Sequence, residues 1–267
     1  MSKIVKKKKG VPGYIVNEYQ EKKKDYVVLI PIINEGERIH RELYRALKAE
    51  VSYYADIVIC DGGSTDGSTD EKKLRKLKVN TLLIKDDEGK QGAQLRMGFD
   101  WALDRGYKGI ITVDGNNKDS IEDVPLFIEK LEEGYDFIQG SRFVPGGIAV
   151  RTPFSRFVAV KLLHAPIISL TARHKFTDTT NAYRAYSRAY LEDERVAPLR
   201  DIFMTYELLA YLSVRATQLG FKACEIPVKR IYPKAGKTPT KISAVRGNAE
   251  LFWILIKNAF GLYNPER

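Results

Sequence analysis

The run Ile57-Val58-Ile59-Cys60 stops at Asp61-Gly62-Gly63-Ser64-Thr65-Asp66-Gly67. A short apolar run that ends abruptly at a carboxylate–glycine turn reads as a strand buried on both faces and closed by a polar loop. The pattern recurs on either side. Upstream, the apolar residues 26–30 lead into Pro31-Ile32-Ile33-Asn34-Glu35; downstream, residues 109–113 lead into Asp114-Gly115-Asn116-Asn117-Lys118-Asp119. Between the runs, Ile39, Leu43, Leu47 and Val51 recur every four residues among charged neighbours, which predicts a helix. A polar helix over 71–78, a strand over 79–84, helices over 94–105 and 122–132 (with Asp119 or Ser120 as cap) and a strand from 136 continue the alternation. Such alternation predicts an α/β fold, a mostly parallel Rossmann-like sheet with helices on both faces. Ligands of these sheets sit beyond the carboxyl ends of the strands. Three polar turns in one crevice suit a ribose, a base edge and a metal–diphosphate, although a single Asp-Gly is ordinarily only a turn.

Beyond Arg142 the rhythm changes. Helices are expected over 154–170, with a bend at Pro166, and over 205–219, then a strand over 221–228 and a loop rich in Lys, Pro, Gly and Thr over 232–244. The last segment, 245–263, has an apolar stripe of Ala249, Phe252, Trp253, Ile256 and Phe260 at helical spacing. The expected organisation is a basic N-terminal arm over 1–25, one domain over 26–244, and an amphipathic helix with its tail over 245–267. Of the net charge of +10, the first 25 residues carry +5 and residues 228–267 carry +6, so the middle is close to neutral. Basic ends fit a solvated tail, an anionic lipid surface or a phosphorylated acceptor. Tyr14, Tyr19 and Tyr26 interleave with Lys6–Lys9 and Lys22–Lys24, but no recognition module accompanies them, and nucleic acid is not an expected partner. Cys60 and Cys224 sit in apolar runs as free thiols, and His40, His164 and His174 have no ligand spacing. With no signal peptide and no apolar run near the ~18–20 residues of a bilayer span, a cytoplasmic chain is expected, peripheral at the inner membrane face.

The motifs in order resemble family 2 inverting glycosyltransferases of the GT-A fold, and within them the polyprenol-phosphate (dolichol-phosphate) mannosyl/glucosyl transferase branch. The resemblance runs from about residue 26 to 241. It rests on Val28-Leu29-Ile30-Pro31 through Asn34-Glu35, the Asp61–Gly67 turn with Gly62 for the usual second Asp, and Lys90-Gln91-Gly92. Gly140-Ser141-Arg142, Asp178-Thr179-Thr180-Asn181-Ala182-Tyr183-Arg184, Glu225-Ile226-Pro227, Arg230 and Lys241 follow. It implies a nucleotide-sugar site of Pro31, Asn34, Glu35, Asp61, Gly63, Lys90, Asp114, Asn116, Lys118 and Arg230. An acceptor phosphate would meet Arg142, Arg184 and Lys241, because guanidinium pairs two phosphate oxygens at once. A divalent cation, Mg²⁺ or Mn²⁺, would sit on Asp114, Asn116 and Asp119.

Here the chain departs from the family, which carries Asp-x-Asp followed by Gln, where this sequence has Asn116 and Lys118. Either a weaker metal site survives, which is the reading favoured by the sequence, or Lys118 supplies part of the ion's charge and clamps the diphosphate. Asp114 is a catalytic candidate in both. A phosphate acceptor needs no strong base; a glycan hydroxyl would need one, with Glu207 or Asp178 the candidates. The expected activity is transfer from a UDP- or GDP-sugar to a polyprenyl phosphate. The alternatives are transfer to a glycan hydroxyl in capsule, lipopolysaccharide or exopolysaccharide assembly, and an inactive nucleotide-binding domain. A membrane surface and a second copy of the chain remain open as partners.

Overall fold

The computed structural model describes residues 2–234 and 246–266. In chain order the strands are β1 Ser2–Val5, β2 Tyr14–Glu18, β3 Tyr26–Ile32, β4 Ala55–Asp61, β5 Thr81–Lys85, β6 Gly109–Thr112, β7 Phe137–Ser141, β8 Ile148–Val150, β9 Arg184–Ser187, β10 Ala223–Pro227 and β11 Lys229–Ile231. The helices are α1 Glu37–Lys48, α2 Glu71–Lys76, α3 Gln91–Asp104, α4 Val124–Glu132, α5 Phe154–Ala159, α6 Ala165–Ala172, α7 Arg188–Glu192, α8 Glu207–Gln218 and α9 Arg246–Ala259, with a π-helical turn, Val160–His164, joining α5 to α6. Among the described residues one large sheet has the order β1-β2-β5-β4-β3-β6-β9-β7-β10, and β8 pairs with β11 apart from it.

The strands β5, β4, β3 and β6 are parallel neighbours. From β3 the chain adds β4 and then β5 on one side before crossing to β6 on the other, so a topological switch point opens between β3 and β6. That is where a crevice forms in an open parallel sheet. Alternate side chains divide between two cores, as the period-2 geometry of a strand requires. Val27, Leu29, Val58 and Cys60 pack with α3, α6, α8 and α9; Val28, Ile30, Ile57 and Ile59 pack with α1, α2 and α4.

Three features differ from the sequence reading. The segment expected as an arm over 1–25 joins the sheet within its described residues: β2 pairs antiparallel with β5 and β1 with β2, burying Tyr14 and Val16 to 3 % exposure each. An antiparallel strand, β9, lies between β6 and β7. The helix expected over 154–170 is present, but it runs on through Phe154–Ala172 as 19 residues with mean hydropathy 1.2, mostly unburied, which is long and apolar enough to cross a bilayer where no segment of that kind was expected. Its charges turn towards the domain: Arg156 bonds Tyr232 and Lys161 lies over Phe143. The C-terminal helix packs on the domain through Ile254, Leu255 and Asn258 and leaves Phe252 and Trp253 outward, with Phe260 exposed just past its end.

Candidate active site

The loops that follow β3 and β4 are sewn together. The Asn34 N–H donates to Ser64 Oγ at 2.9 Å, the Thr65 N–H to Asn34 Oδ1 at 2.8 Å, and the Glu35 and Gly36 N–H groups to Ser68 Oγ. Asp61 ends β4 at 1 % exposure, and its Oδ2 accepts from the Gly63 and Ser64 N–H groups at 2.8 Å each. The carboxylate therefore shapes the turn that presents it. Gly63 takes φ +95°, a conformation open to glycine, and a Cβ there would meet nothing within 4 Å. Gln94 Nε2 bridges the carbonyls of Ile32 (2.6 Å) and Cys60 (2.8 Å), fixing both strand ends. A Cβ at Gly62 would approach that nitrogen to 3.1 Å, a packing reason for glycine at this position. Pro31 stays within β3, opposite Cys60, and Arg38 holds the Glu35 carboxylate at 2.8 Å.

Across the switch point, Asp114 receives Gln91 Nε2 on Oδ1 (2.9 Å), and on Oδ2 both Asn116 Nδ2 (3.3 Å) and Arg230 Nη2 (3.4 Å). Gln91 opens α3 beside Lys90, whose side chain is exposed. The loop after β6 is pinned from behind. Asn117, at φ +57°, donates its N–H to Glu42 Oε2 at 2.6 Å, and Arg45 bonds Asn117 Oδ1 and the Asp119 carbonyl. Burial pushes the Glu42 carboxyl well above its usual value. It also raises Asp119, fully buried and ion-paired to Arg230, although that guanidinium pulls the other way. Lys118 is 5 % exposed, with its ammonium 5.4 Å from the centre of the Tyr232 ring. Burial first, then Arg230, bring it down to about 8.

Around Tyr232 lies a concentration of cations. Its hydroxyl accepts from Arg156 (3.2 Å) and Arg142 (3.5 Å), its carbonyl accepts from Arg151 (2.7 Å), and Arg230 lies near its ring. Burial acts to raise the phenol, yet Arg230, Arg156 and Arg142 together bring it below its ordinary value. Neither Tyr232 nor Arg156 was singled out in the sequence. A lone cation inside an otherwise apolar helix start, Phe154-Ser-Arg-Phe-Val-Ala, was the available signal.

The structure separates several expected residues from this space. Arg184 is buried at 1 % exposure and donates to the backbone carbonyls of Asn181, Thr179 and Leu209. Asp178 is not poised as a base, because it holds Arg142 through two bonds of 2.6 and 2.8 Å with both side chains buried. The same pair turns Arg142 mainly inward. Glu207 spends both oxygens on Thr205, at the start of α8. Lys241 lies outside the described residues.

The expected metal set does not fit. Asp119 has one oxygen on Arg230 and the other fully buried without a hydrogen-bond partner. Asn116 is neutral, though its Oδ1 is likewise buried and unpartnered, and both Asp114 oxygens already have donors. Among the described residues no three acidic, histidine or cysteine side chains gather where they could hold an ion. Divalent ions want several hard oxygens and net negative charge, whereas here Asp114 and Asp119 face Lys118 and Arg230.

Comparison with known proteins agrees with the fold. Residues 27–195 match the family described as Glycosyl transferase family 2. The chain is 28 % identical over 207 residues to the polyprenol monophosphomannose synthase of Mycolicibacterium smegmatis, covering 76 % of each protein. It is 29 % identical over 224 residues to the undecaprenyl-phosphate mannosyltransferase of Micrococcus luteus, covering 79 % of this chain and 86 % of that one. Among solved structures, glucosyl-3-phosphoglycerate synthase of Mycobacterium tuberculosis, crystallised with Mn²⁺, UDP and glucosyl-3-phosphoglycerate, superimposes with TM-score 0.58 at 15 % identity over 89 % of this chain and 78 % of its own. That similarity establishes the shared GT-A architecture.

Proposed function

The chain belongs to glycosyl transferase family 2, and we propose that it moves one sugar from a UDP- or GDP-sugar to a polyprenyl phosphate by a single inverting displacement. The observation that carries the acceptor is the set of arginines on Tyr232, namely Arg156, Arg151 and Arg142, at the foot of an apolar helix. A phosphate oxygen is already anionic and attacks without losing a proton. A sugar hydroxyl would need a base, and Asp178 and Glu207 are both engaged elsewhere. The names of the mycobacterial and Micrococcus relatives support the same acceptor class.

In this reading Pro31, Asn34, Glu35, Asp61 and Gly63 line the nucleoside, with carboxylates accepting from ribose and base. An acceptor phosphate oxygen bonds to the anomeric carbon as the bond from that carbon to the diphosphate oxygen breaks. The nucleoside diphosphate leaves on the opposite face with the added negative charge. Inversion follows from the single displacement.

The test is to incubate the purified protein with UDP- and GDP-hexoses and undecaprenyl phosphate in detergent. Labelled sugar should pass into the lipid extract as a phosphodiester with inverted anomeric configuration. Labelling of an added oligosaccharide with none in the lipid would overturn the acceptor.

A lipid acceptor also requires contact with a membrane. Phe154, Val158, Leu162, Pro166 and Leu170 recur every four residues on one helix, and Phe154, Leu162 and Leu170 are 80, 73 and 83 % exposed. Such a stripe drifts about 40° per step round an α-helix, and the wider π-turn at Val160–His164 opposes that drift. Trp253 of α9, which packs against α6, and Phe260 just past its end are exposed as well. We expect full-length protein to float with anionic liposomes at low salt. Leu162→Glu with Leu170→Glu should leave it in the bottom fraction, since charged residues in the apolar layer cost about 2–3 kcal/mol each. Flotation of that variant equal to the parent would remove this helix from the contact.

A further inference from the structure

We propose that Lys118, with Arg230, supplies the positive charge against which the nucleoside diphosphate is bound and leaves, so that donor binding requires no divalent cation. The inference rests on the transferase reading above and deepens it. It starts from the mismatch between the expected metal ligands and the groups present. Asp114 and Asp119 contribute two negative charges, and Lys118 and Arg230 contribute two positive ones, so the loop after β6 is already balanced. A dication placed on Asp114 would meet a guanidinium at 3.4 Å from the same carboxylate and a buried ammonium on the same loop. Against the family pattern, Asn for the second Asp and Lys for the following Gln each make the site one unit more positive. Together they add two units, the charge of the ion they would replace.

The loop is built to hold that charge in place. The Lys118 carbonyl accepts the Ile231 N–H at 2.8 Å, and Asp119 and Arg230 form a bridge between the loop and β11. Lys118 is thereby fixed at the carboxyl end of β6, at the switch point, with its ammonium turned over the Tyr232 ring instead of into solvent. Arg230 sits between Asp119 and Asp114, and Asn181 Oδ1 also takes a bond from it at 3.2 Å. An ammonium is a point charge with three donors, and a guanidinium is a planar fork. One of each suits the non-bridging oxygens of two adjacent phosphates.

The test is calorimetric binding of UDP and GDP to protein stripped of metal, in chelator and in Mn²⁺. The nucleotide that binds should do so with affinity within about twofold under the two conditions. Lys118→Gln should weaken it in chelator about 10- to 100-fold, the loss of one charge-assisted bond, while the matching nucleoside monophosphate changes much less and the melting temperature holds. Lys118→Arg should keep most of the affinity. Asn116→Asp with Lys118→Gln should render binding dependent on Mn²⁺. Binding by the parent only in Mn²⁺, or undiminished affinity in Lys118→Gln, would overturn the proposal. If neither UDP nor GDP binds under either condition, the transferase reading itself falls.

Discussion

Asp114→Ala is expected to slow sugar transfer by about 10²-fold or more while leaving the fold intact and nucleotide affinity largely unchanged. The side chain is 23 % exposed, so its loss opens no enclosed cavity. What it does is orient. Its two oxygens gather Gln91 from α3, Asn116 from its own loop and Arg230 from β11. Without it Arg230 keeps Asp119 and remains buried, but its second nitrogen loses its anchor beside the leaving diphosphate. A displacement of about 1 Å there is enough for a loss of that size. Ground-state binding should suffer little, because removing a carboxylate from the neighbourhood of a diphosphate also removes a repulsion. The split between turnover and affinity, read by steady-state transfer and calorimetry, is what an anchoring role predicts. If turnover is undiminished, Asp114 has no part in the site. Loss of nucleotide binding in the same variant would instead mean that Asp114 holds the nucleotide through an ion.

The strands that position this site were legible because each is buried on both faces and stops at a polar turn. β3, β4 and β6 are continuous apolar runs, and Asp61 and Asp114 mark their ends. β2 was not legible, since Tyr14-Ile-Val sits between Gly10-Val-Pro-Gly and a lysine-rich stretch, and its partner β5 lies more than sixty residues away. β9 opens on Arg184, which no strand pattern would place inside; three backbone carbonyls make that burial tolerable. The helix over 154–170 was legible, but its length as an apolar element was not, because Arg156, Lys161, His164 and Pro166 interrupt the run, although Arg156 and Lys161 face the domain. Within the site, residue type foretold which groups bear charge but not which charge each one meets. Asp178 and Arg142 were both singled out, one as a base and one as a phosphate ligand, and only the folded chain reveals that they hold each other. Glu42 was missed outright: it falls on the buried side of α1 with Ile39 and Leu43, where an acid at an apolar position was the available sign.

Asp178→Ala is expected to lower stability by about 3–5 kcal/mol, a fall in melting temperature on the order of 10 °C for a chain of this size. Both members of the Arg142–Asp178 pair are at most 1 % exposed, and the carboxylate takes Nε, Nη2 and the backbone N–H of Arg142. Removing the carboxylate strands a buried guanidinium with only the Thr180 hydroxyl at 3.2 Å and the Tyr232 hydroxyl at 3.5 Å. Beneath it, Glu225 accepts from the N–H groups of Thr177 and Asp178, and burial already raises its carboxyl, so no second anion is free to move in. Arg142→Leu combined with Asp178→Ala should recover most of the loss, because two uncharged side chains need no compensation in a buried site. An Asp178 acting as a general base would behave differently: the single variant would melt with the parent and lose transfer, and the double variant would gain no stability over it. Thermal unfolding of the three proteins decides between a carboxylate that holds an arginine and one that takes a proton.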